Sequence, residues 1–294
     1  MAVTTATIPG RREARRRRLS LEASWGIALV IPYVVVFLTF VVWPVAYGVW
    51  LGSDPQSYVR LFNDPIYART VVNTAIFLGI GINLKLFLAL LLSGYFASTR
   101  PWIRWLSILF ILPWAVPSIP TILSFRWMLN SEWGMLNNIL WELFRVEGPW
   151  WLVDPELAFG SVIAVHIWKY LPFWTLILLA GRMAISNDLY EAARIDGASP
   201  LQQFWYVTWP QLKNLYVTSL LLSTIWSLGD FNSVYLLTGG GPLEKTHVLA
   251  TLGIRYAFVL TEIKTGVATV ITATPILIPL VILLVRRLGR RVEA

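Results

Sequence analysis

"SNDLYEAARIDGASPLQQF" runs from Ser186 to Phe204, a polar stretch between two runs apolar enough to sit in lipid. Asp188 stands where it can cap a helix, with Glu191 three residues on to complete a capping box. Leu189 to Asp196 then read as two helical turns. Gly197 falls where a helix end needs a left-handed residue, a conformation glycine takes without steric cost. Ser199 is a second N-cap, Pro200 occupies the first helical position, and Gln202 completes a second capping box. Leu201, Phe204, Trp205 and Thr208 recur at i, i+3, i+4 and i+7, a helical stripe that Pro210 closes or kinks. The segment reads as helix, glycine turn, helix, with its ends secured locally. Ala192 and Ala193 let another surface approach closely, and Glu191 and Arg194 are placed to meet charged partners.

The flanking runs set the fold class. Of 294 residues, 56% are hydrophobic and 14% charged, with a mean hydropathy of +0.63; a soluble domain is nearer one quarter charged. Stretches long enough to cross a bilayer lie near 25–50, 71–96, 103–128, 158–184, 212–237 and 265–288. No connection between them is long enough for a separate soluble domain. The expected architecture is an all-α integral membrane protein. A basic N-terminal tail (1–24) precedes a six-helix transmembrane domain (25–288) that holds the loop 186–212, and a short tail (289–294) ends the chain. Arginines before the first stretch resemble the start of a signal peptide. That stretch is too long for one, contains Pro32 and Pro44, and lacks a clear small-residue cleavage site, so it reads as an uncleaved span. Trp25, Trp50, Trp102, Trp127, Trp150 and Trp151 fall near span ends, where an amphipathic ring suits the interface.

Basic residues orient such a chain. Arg11, Arg12, Arg15, Arg16, Arg17 and Arg18 precede the first span; Arg100, Arg104, Arg182, Arg194, Lys213, Arg286, Arg287, Arg290 and Arg291 fall on the same side. The opposite loops hold only Arg60, Arg69, Arg145, Lys245, Arg255 and Lys264. Both termini and the 186–212 loop are therefore expected in the cytoplasm. The net charge of +8 reflects this asymmetry; basic residues split among short segments do not make a nucleic-acid patch. Without cysteine, and with His166 and His247 far apart in sequence, a His/Cys metal site lacks ligands. "GGGPLEKT" (Gly239 to Thr246) imitates a phosphate loop, but Glu244 precedes Lys245 where that loop needs glycine. It reads as a tight turn, which leaves the chain without a nucleotide site of its own.

"EAARIDGASPLQQFWYVTWPQL" (Glu191 to Leu212) resembles the EAA loop of importer permeases of the ATP-binding cassette class. The pattern is met at Glu191, Ala192, Ala193, Asp196, Gly197, Ala198, Phe204 and Pro210. Trp209 replaces the usual leucine, and Asn214 stands where many members have a second proline. "LFILPWAVPSIPTILSFRWMLNSEWGMLN" (Leu109 to Asn137), "IWKYLPFWTLILLAGR" (Ile167 to Arg182) and "FNSVYLLTGGGP" (Phe231 to Pro242) are similar to stretches of the carbohydrate branch. The resemblance implies a type I, MetI-like permease fold in a bacterial cytoplasmic (inner) membrane. It implies four kinds of partner: a second, non-identical permease subunit, two copies of a cytoplasmic ATPase, an external solute-binding protein, and membrane lipid. ATP and Mg would be bound by the partner ATPases, so no cofactor is expected on this chain, and it would not itself be an enzyme. The residues that couple to the ATPase would be Glu191, Ala192, Ala193, Arg194, Asp196, Gly197 and Ala198.

Polar groups at membrane depth are functional candidates. Lys169, Tyr170, Asp230 and Asn232, with Trp174 and Tyr235 as rings to stack on a sugar, form the expected solute path. Asp230 and Lys169 show no evident structural partner in the sequence. Lys85 reads as an inter-helix polar contact, His166 as a hydrogen-bonded packing residue, and Arg126 as a snorkelling side chain. Pro113, Pro117, Pro120 and Pro172 are placed to break helices near mid-membrane. Two other classes compete. An ion-coupled secondary transporter leaves the loop at Glu191 unexplained. A membrane glycosyltransferase calls for a pair of acidic residues in a large loop, which the sequence does not offer.

Overall fold

Aspartate followed by proline starts three of the helices. The structure, a computed structural model, describes residues 21–98 and 100–289, and every regular element within them is helical. At Asp54-Pro55, Asp64-Pro65 and Asp154-Pro155 the carboxylate accepts a backbone N–H two residues on. Proline sits at the first helical position, where its missing N–H leaves nothing unsatisfied.

The chain divides into two compact units, 1–50 and 51–294. In the first, α1 (Leu21–Phe37) passes through a π-helical turn at Leu38–Val42 into α2 (Trp43–Leu51). Leu29, Tyr33, Phe40 and Trp43 are all exposed, the apolar surface expected of a span. Residues 1–20 of the expected basic tail lie outside the described residues, and its last four, 21–24, belong to α1.

The second unit begins with α3 (Pro55–Asn63) and α4 (Pro65–Ile76). A π-helical turn at Phe77–Ile82 leads on to α5 (Asn83–Phe96). Next come α6 (Pro101–Ala115), α7 (Ser118–Met128), α8 (Met135–Phe144) and the long α9 (Pro155–Met183). The polar segment supplies α10 (Asn187–Ile195) and α11 (Pro200–Gln203). Then follow α12 (Trp209–Leu228), α13 (Asn232–Leu237), α14 (Leu249–Ile254), α15 (Ile263–Ile271) and α16 (Thr274–Gly289).

Among the described residues, three helices are long and apolar enough to cross a membrane: Ala28–Leu51, Pro65–Phe96 and Pro155–Met183. Counting the bent pairs α6–α7 (95°) and α15–α16 (42°) as one span each raises the number to five. The expected span 212–237 is where the structure departs: α12 stops at Leu228, and Gly229 to Phe231 interrupt it before α13. Asp230 holds that interruption, because its carboxylate accepts both the backbone N–H and the hydroxyl of Ser233. A further apolar helix, Leu249–Val259, stands where the sequence suggested a loop.

α5 against α9 is the centre of the unit, burying Leu86, Ala89, Val162, Val165 and Leu178. In lipid, close packing holds helices together more than exclusion of water does. Gly181 shows the closeness: a Cβ there would lie 2.3 Å from Leu215 Cδ2. The segments that charge placed on one side of the membrane meet one another. Arg60 pairs with Glu262 and Arg69 with Glu156 at 3.0 Å. Asn73 Nδ2 donates to the carbonyls of Lys245 and His247. The Tyr256 hydroxyl donates to the carboxylate of Asp64. The glycine-rich 239–246 segment is a turn, as expected, with Gly239 and Gly240 at positive φ. Its Glu244 is engaged by His247 at 2.6 Å and Arg255 at 2.9 Å.

Candidate functional site

Two features stand out, one at the surface and one inside. At the surface, α10 is held at both ends. Its N-cap is Ser186, whose hydroxyl accepts the Asp188 N–H at 3.2 Å. Asp188 is therefore in the first turn and not the cap: the helix starts at Asn187, and the hydroxyl two residues upstream reaches the open N–H first. At the other end Gly197 has φ +77. Its N–H bonds Arg194 O, and the next N–H, of Ala198, bonds Ala193 O at 2.9 Å, the paired pattern that ends a helix on a left-handed residue. Ser199, Pro200 and Gln202 form the expected capping box.

The helix then does not close at Pro210. A π-helical turn, Phe204–Thr208, precedes the proline and joins α11 to α12. Proline has no N–H to donate and crowds the carbonyl four residues back; the wider turn relieves both. Tyr190 meets Thr208 hydroxyl to hydroxyl at 2.9 Å, tying α10 to this turn. Glu191, Ala192, Arg194, Asp196 and Gly197 are exposed, and Ala193 and Ala198 half-buried. Ile195, 87% exposed, adds an apolar side chain to the same surface. The result is a short rigid helix standing out from the bundle.

Inside lies a cavity of about 190 Å³, lined by Lys85, His166, Tyr170, Trp174, Ser223, Trp226, Ser227 and Asp230. His166, Tyr170 and Trp174 recur every fourth residue on α9. Ser223, Trp226, Ser227 and Asp230 follow the i, i+3, i+4, i+7 pattern along α12 and into its break, so each set shares one helical face. Lys85 Nζ lies 3.0 Å from His166 Nε2, and His166 Nδ1 lies 2.8 Å from Asp230 Oδ2. A neutral imidazole with its proton on Nδ1 satisfies both contacts, accepting from the lysine and donating to the carboxylate. Opposite charges are thus bridged through one ring, the arrangement a buried charge requires. Ser223 Oγ is buried on the cavity wall and has no hydrogen-bond partner among the described residues. Trp174 and Trp226 lie 5.7 Å apart, centroid to centroid.

The sequence-predicted residues fall into two groups. Tyr170, Trp174 and Asp230 come together here. Lys169, Asn232 and Tyr235 do not line the cavity. Lys169 reaches neither Asp230 nor Asn232; it donates to the carbonyls of Pro113, Trp114 and Val116 at the end of α6. Those carbonyls lack partners because the chain turns away at Pro117. Both Asp230 and Lys169 thus have structural partners, contrary to expectation. Asn232 is exposed at the start of α13, and Tyr235 stacks on Phe231 at 4.4 Å. Lys85 finds its partner, His166, within this chain. Ser223 and Ser227 escaped sequence reading although their spacing from Asp230 marked a polar stripe.

Comparison with known proteins follows the same lines. Residues 85–294 match the family model described as binding-protein-dependent transport system inner membrane component. The trehalose/maltose transport system permease protein MalF of Thermococcus litoralis is 33% identical over 248 residues, 80% of this chain and 84% of that one. The sulfoquinovosyl glycerol transport system permease protein SmoG of Agrobacterium fabrum is 33% identical over 241 residues, 76% of this chain and 77% of that one. A chain in the crystal structure of a bacterial ABC transporter involved in the import of the acidic polysaccharide alginate superposes with a TM-score of 0.77 at 21% identity. That match covers 93% of this chain and 98% of the other, and shows a common fold. The chain is thus a multi-pass membrane protein that belongs to the family of binding-protein-dependent transport system inner membrane components.

Proposed function

We propose that this chain is the permease subunit of an ATP-driven importer that moves a sugar or sugar derivative from an external binding protein to the cytoplasm. The observation that carries the reading is the pairing of the two features above: a rigid, exposed helix at 187–195 and a cavity walled by aromatic rings and polar atoms. Rings of Tyr170, Trp174 and Trp226 offer faces to a pyranose, and Ser223 Oγ offers a hydroxyl with no other partner among the described residues. The names of the relatives, trehalose/maltose and sulfoquinovosyl glycerol permeases, support a carbohydrate. A second, non-identical permease completes the path, and two copies of a cytoplasmic ATPase bind ATP and Mg and do the hydrolysis. Closure of the ATPases on ATP pulls α10, with Glu191, Arg194 and Asp196 as its charged contacts. The displacement passes through Tyr190–Thr208 and the π-helical turn into α12, which carries one wall of the cavity.

The Lys85–His166–Asp230 chain favours one rival reading, since buried ionisable chains also serve ion-coupled transporters. Reconstitution separates the two. The complex is purified through this chain, placed in vesicles with ATP on the ATPase side, and given a labelled sugar on its binding protein. Uptake that needs ATP and survives a protonophore is expected. Uptake that runs without ATP and stops with the protonophore would overturn the proposal in favour of the ion-coupled transporter.

A further inference from the structure

A second cavity lies away from this path, between α12 and α16. It measures about 310 Å³ and is lined by Val217, Leu221, Leu283, Arg286 and Arg287. Val217 and Leu221 are one turn apart on α12, as Leu283 and Arg287 are on α16, so the walls are two facing stripes. The stripes are apolar toward the membrane interior and cationic at the last turn of α16. Arg287 donates from Nη2 to Asn214 Oδ1 at 2.7 Å. Its Nε is buried and has no hydrogen-bond partner among the described residues. No acidic side chain lines the groove among the described residues. Asn214 closely follows the Ser186–Phe204 segment, so the charged end opens on that side of the membrane.

Snorkelling to water explains a single exposed arginine. It does not explain two guanidinium groups side by side on the wall of one groove, with no acidic side chain there among the described residues. An oxyanion in the groove would meet the guanidinium groups of Arg286 and Arg287 that line it, in the forked geometry that arginine favours. The apolar walls ask for a hydrocarbon directly below that anion. Both demands are met by one molecule, and basic pockets between membrane helices suit such headgroups. We propose that this groove binds an anionic phospholipid from the leaflet on the Ser186–Phe204 side. Its phosphate lies against Arg286 and Arg287, and one acyl chain runs along Val217, Leu221 and Leu283. The bound lipid bridges the end of α16 to the root of α12, next to the exposed segment.

The test uses the complex purified with its co-purifying subunits and stripped of lipid. Phosphatidylglycerol or phosphatidylcholine with identical acyl chains is added, and retained lipid is counted by native mass spectrometry. Phosphatidylglycerol should stay bound and phosphatidylcholine should not. Arg286→Gln combined with Arg287→Gln should weaken retention about tenfold or more, from the loss of two cationic contacts. Leu283→Trp, which fills the apolar end and keeps both arginines, should also abolish retention, and it carries the test alone if the arginine variant fails to insert. Inorganic phosphate should not displace the lipid. Equal retention by parent and variants, equal binding of the two lipids, or displacement by inorganic phosphate would overturn the proposal. So would a complex that binds no lipid because a neighbouring subunit fills the groove.

Discussion

Asp230 and Lys85 carry opposite charges into the same buried site and are joined through His166. Removing one partner of a buried pair leaves the other charge uncompensated, at a cost of about 3–5 kcal/mol. Asp230→Asn and Lys85→Met should therefore each lower the yield and melting temperature of the purified complex. The double variant should recover most of the loss, since neither charge then remains; a double variant no more stable than the sum of its parts would refute the pairing. Uptake should stay low in the double variant if the site also touches solute. This triad was not legible in the sequence, because its members are separated by 81 and 64 residues and only helix packing brings their faces together. Gly197 was legible, because its left-handed turn depends on neighbours within five residues.

Lys169 shows the same limit at the level of an element. Its type and depth suggested a solute contact, yet it closes the open end of α6 by donating to three carbonyls. Lys169→Met should take the donor away from those three part-buried carbonyls, costing about 1–3 kcal/mol of stability. The check is thermal unfolding in detergent together with uptake per folded complex: unfolding should shift down while uptake per folded complex changes little. A normal melting profile with lost uptake would return Lys169 to the path. Helix starts were written locally, in Asp54-Pro55, Asp64-Pro65 and Asp154-Pro155. The break at Gly229 to Phe231 was only half written: Gly229, Asp230 and Asn232 make a polar dip in the apolar run, but a dip of that kind also marks a solute contact, and it is the engagement of Asp230 by Ser233 and His166 that makes it a helix break. The π-helical turn before Pro210 was hidden for a related reason: proline announces a disturbance, but the surrounding packing decides whether the helix ends or widens.

Across the whole molecule, composition and the polar segment were enough to state an all-helical membrane fold. Hydropathy could not state how many segments span, because bent pairs and an interrupted α12 share the same apolar signature as straight helices. The basic asymmetry predicts that both termini are cytoplasmic. A reporter active only outside the membrane, fused after Ala294, should be silent, and strong activity would reverse the orientation. In the proposed function the exposed helix transmits ATPase motion to the spans. At Gly197 no atom beyond the glycine and its chain neighbours lies within 4 Å of the point where a Cβ would stand, so Gly197→Val acts chiefly through its positive φ, roughly 1–2 kcal/mol of strain. That is too little to unfold the bundle but enough to misplace a docking helix. Glu191→Ala removes a charged contact and leaves the backbone intact. The most direct measurement is binding-protein-stimulated ATP hydrolysis of the reconstituted complex, read beside uptake. Both variants should insert normally and lose stimulated hydrolysis and uptake together, with Gly197→Val also retaining less ATPase on purification. Variants that hydrolyse and transport like the parent would rule out coupling through this helix and reduce Glu191 to Gly197 to a connector.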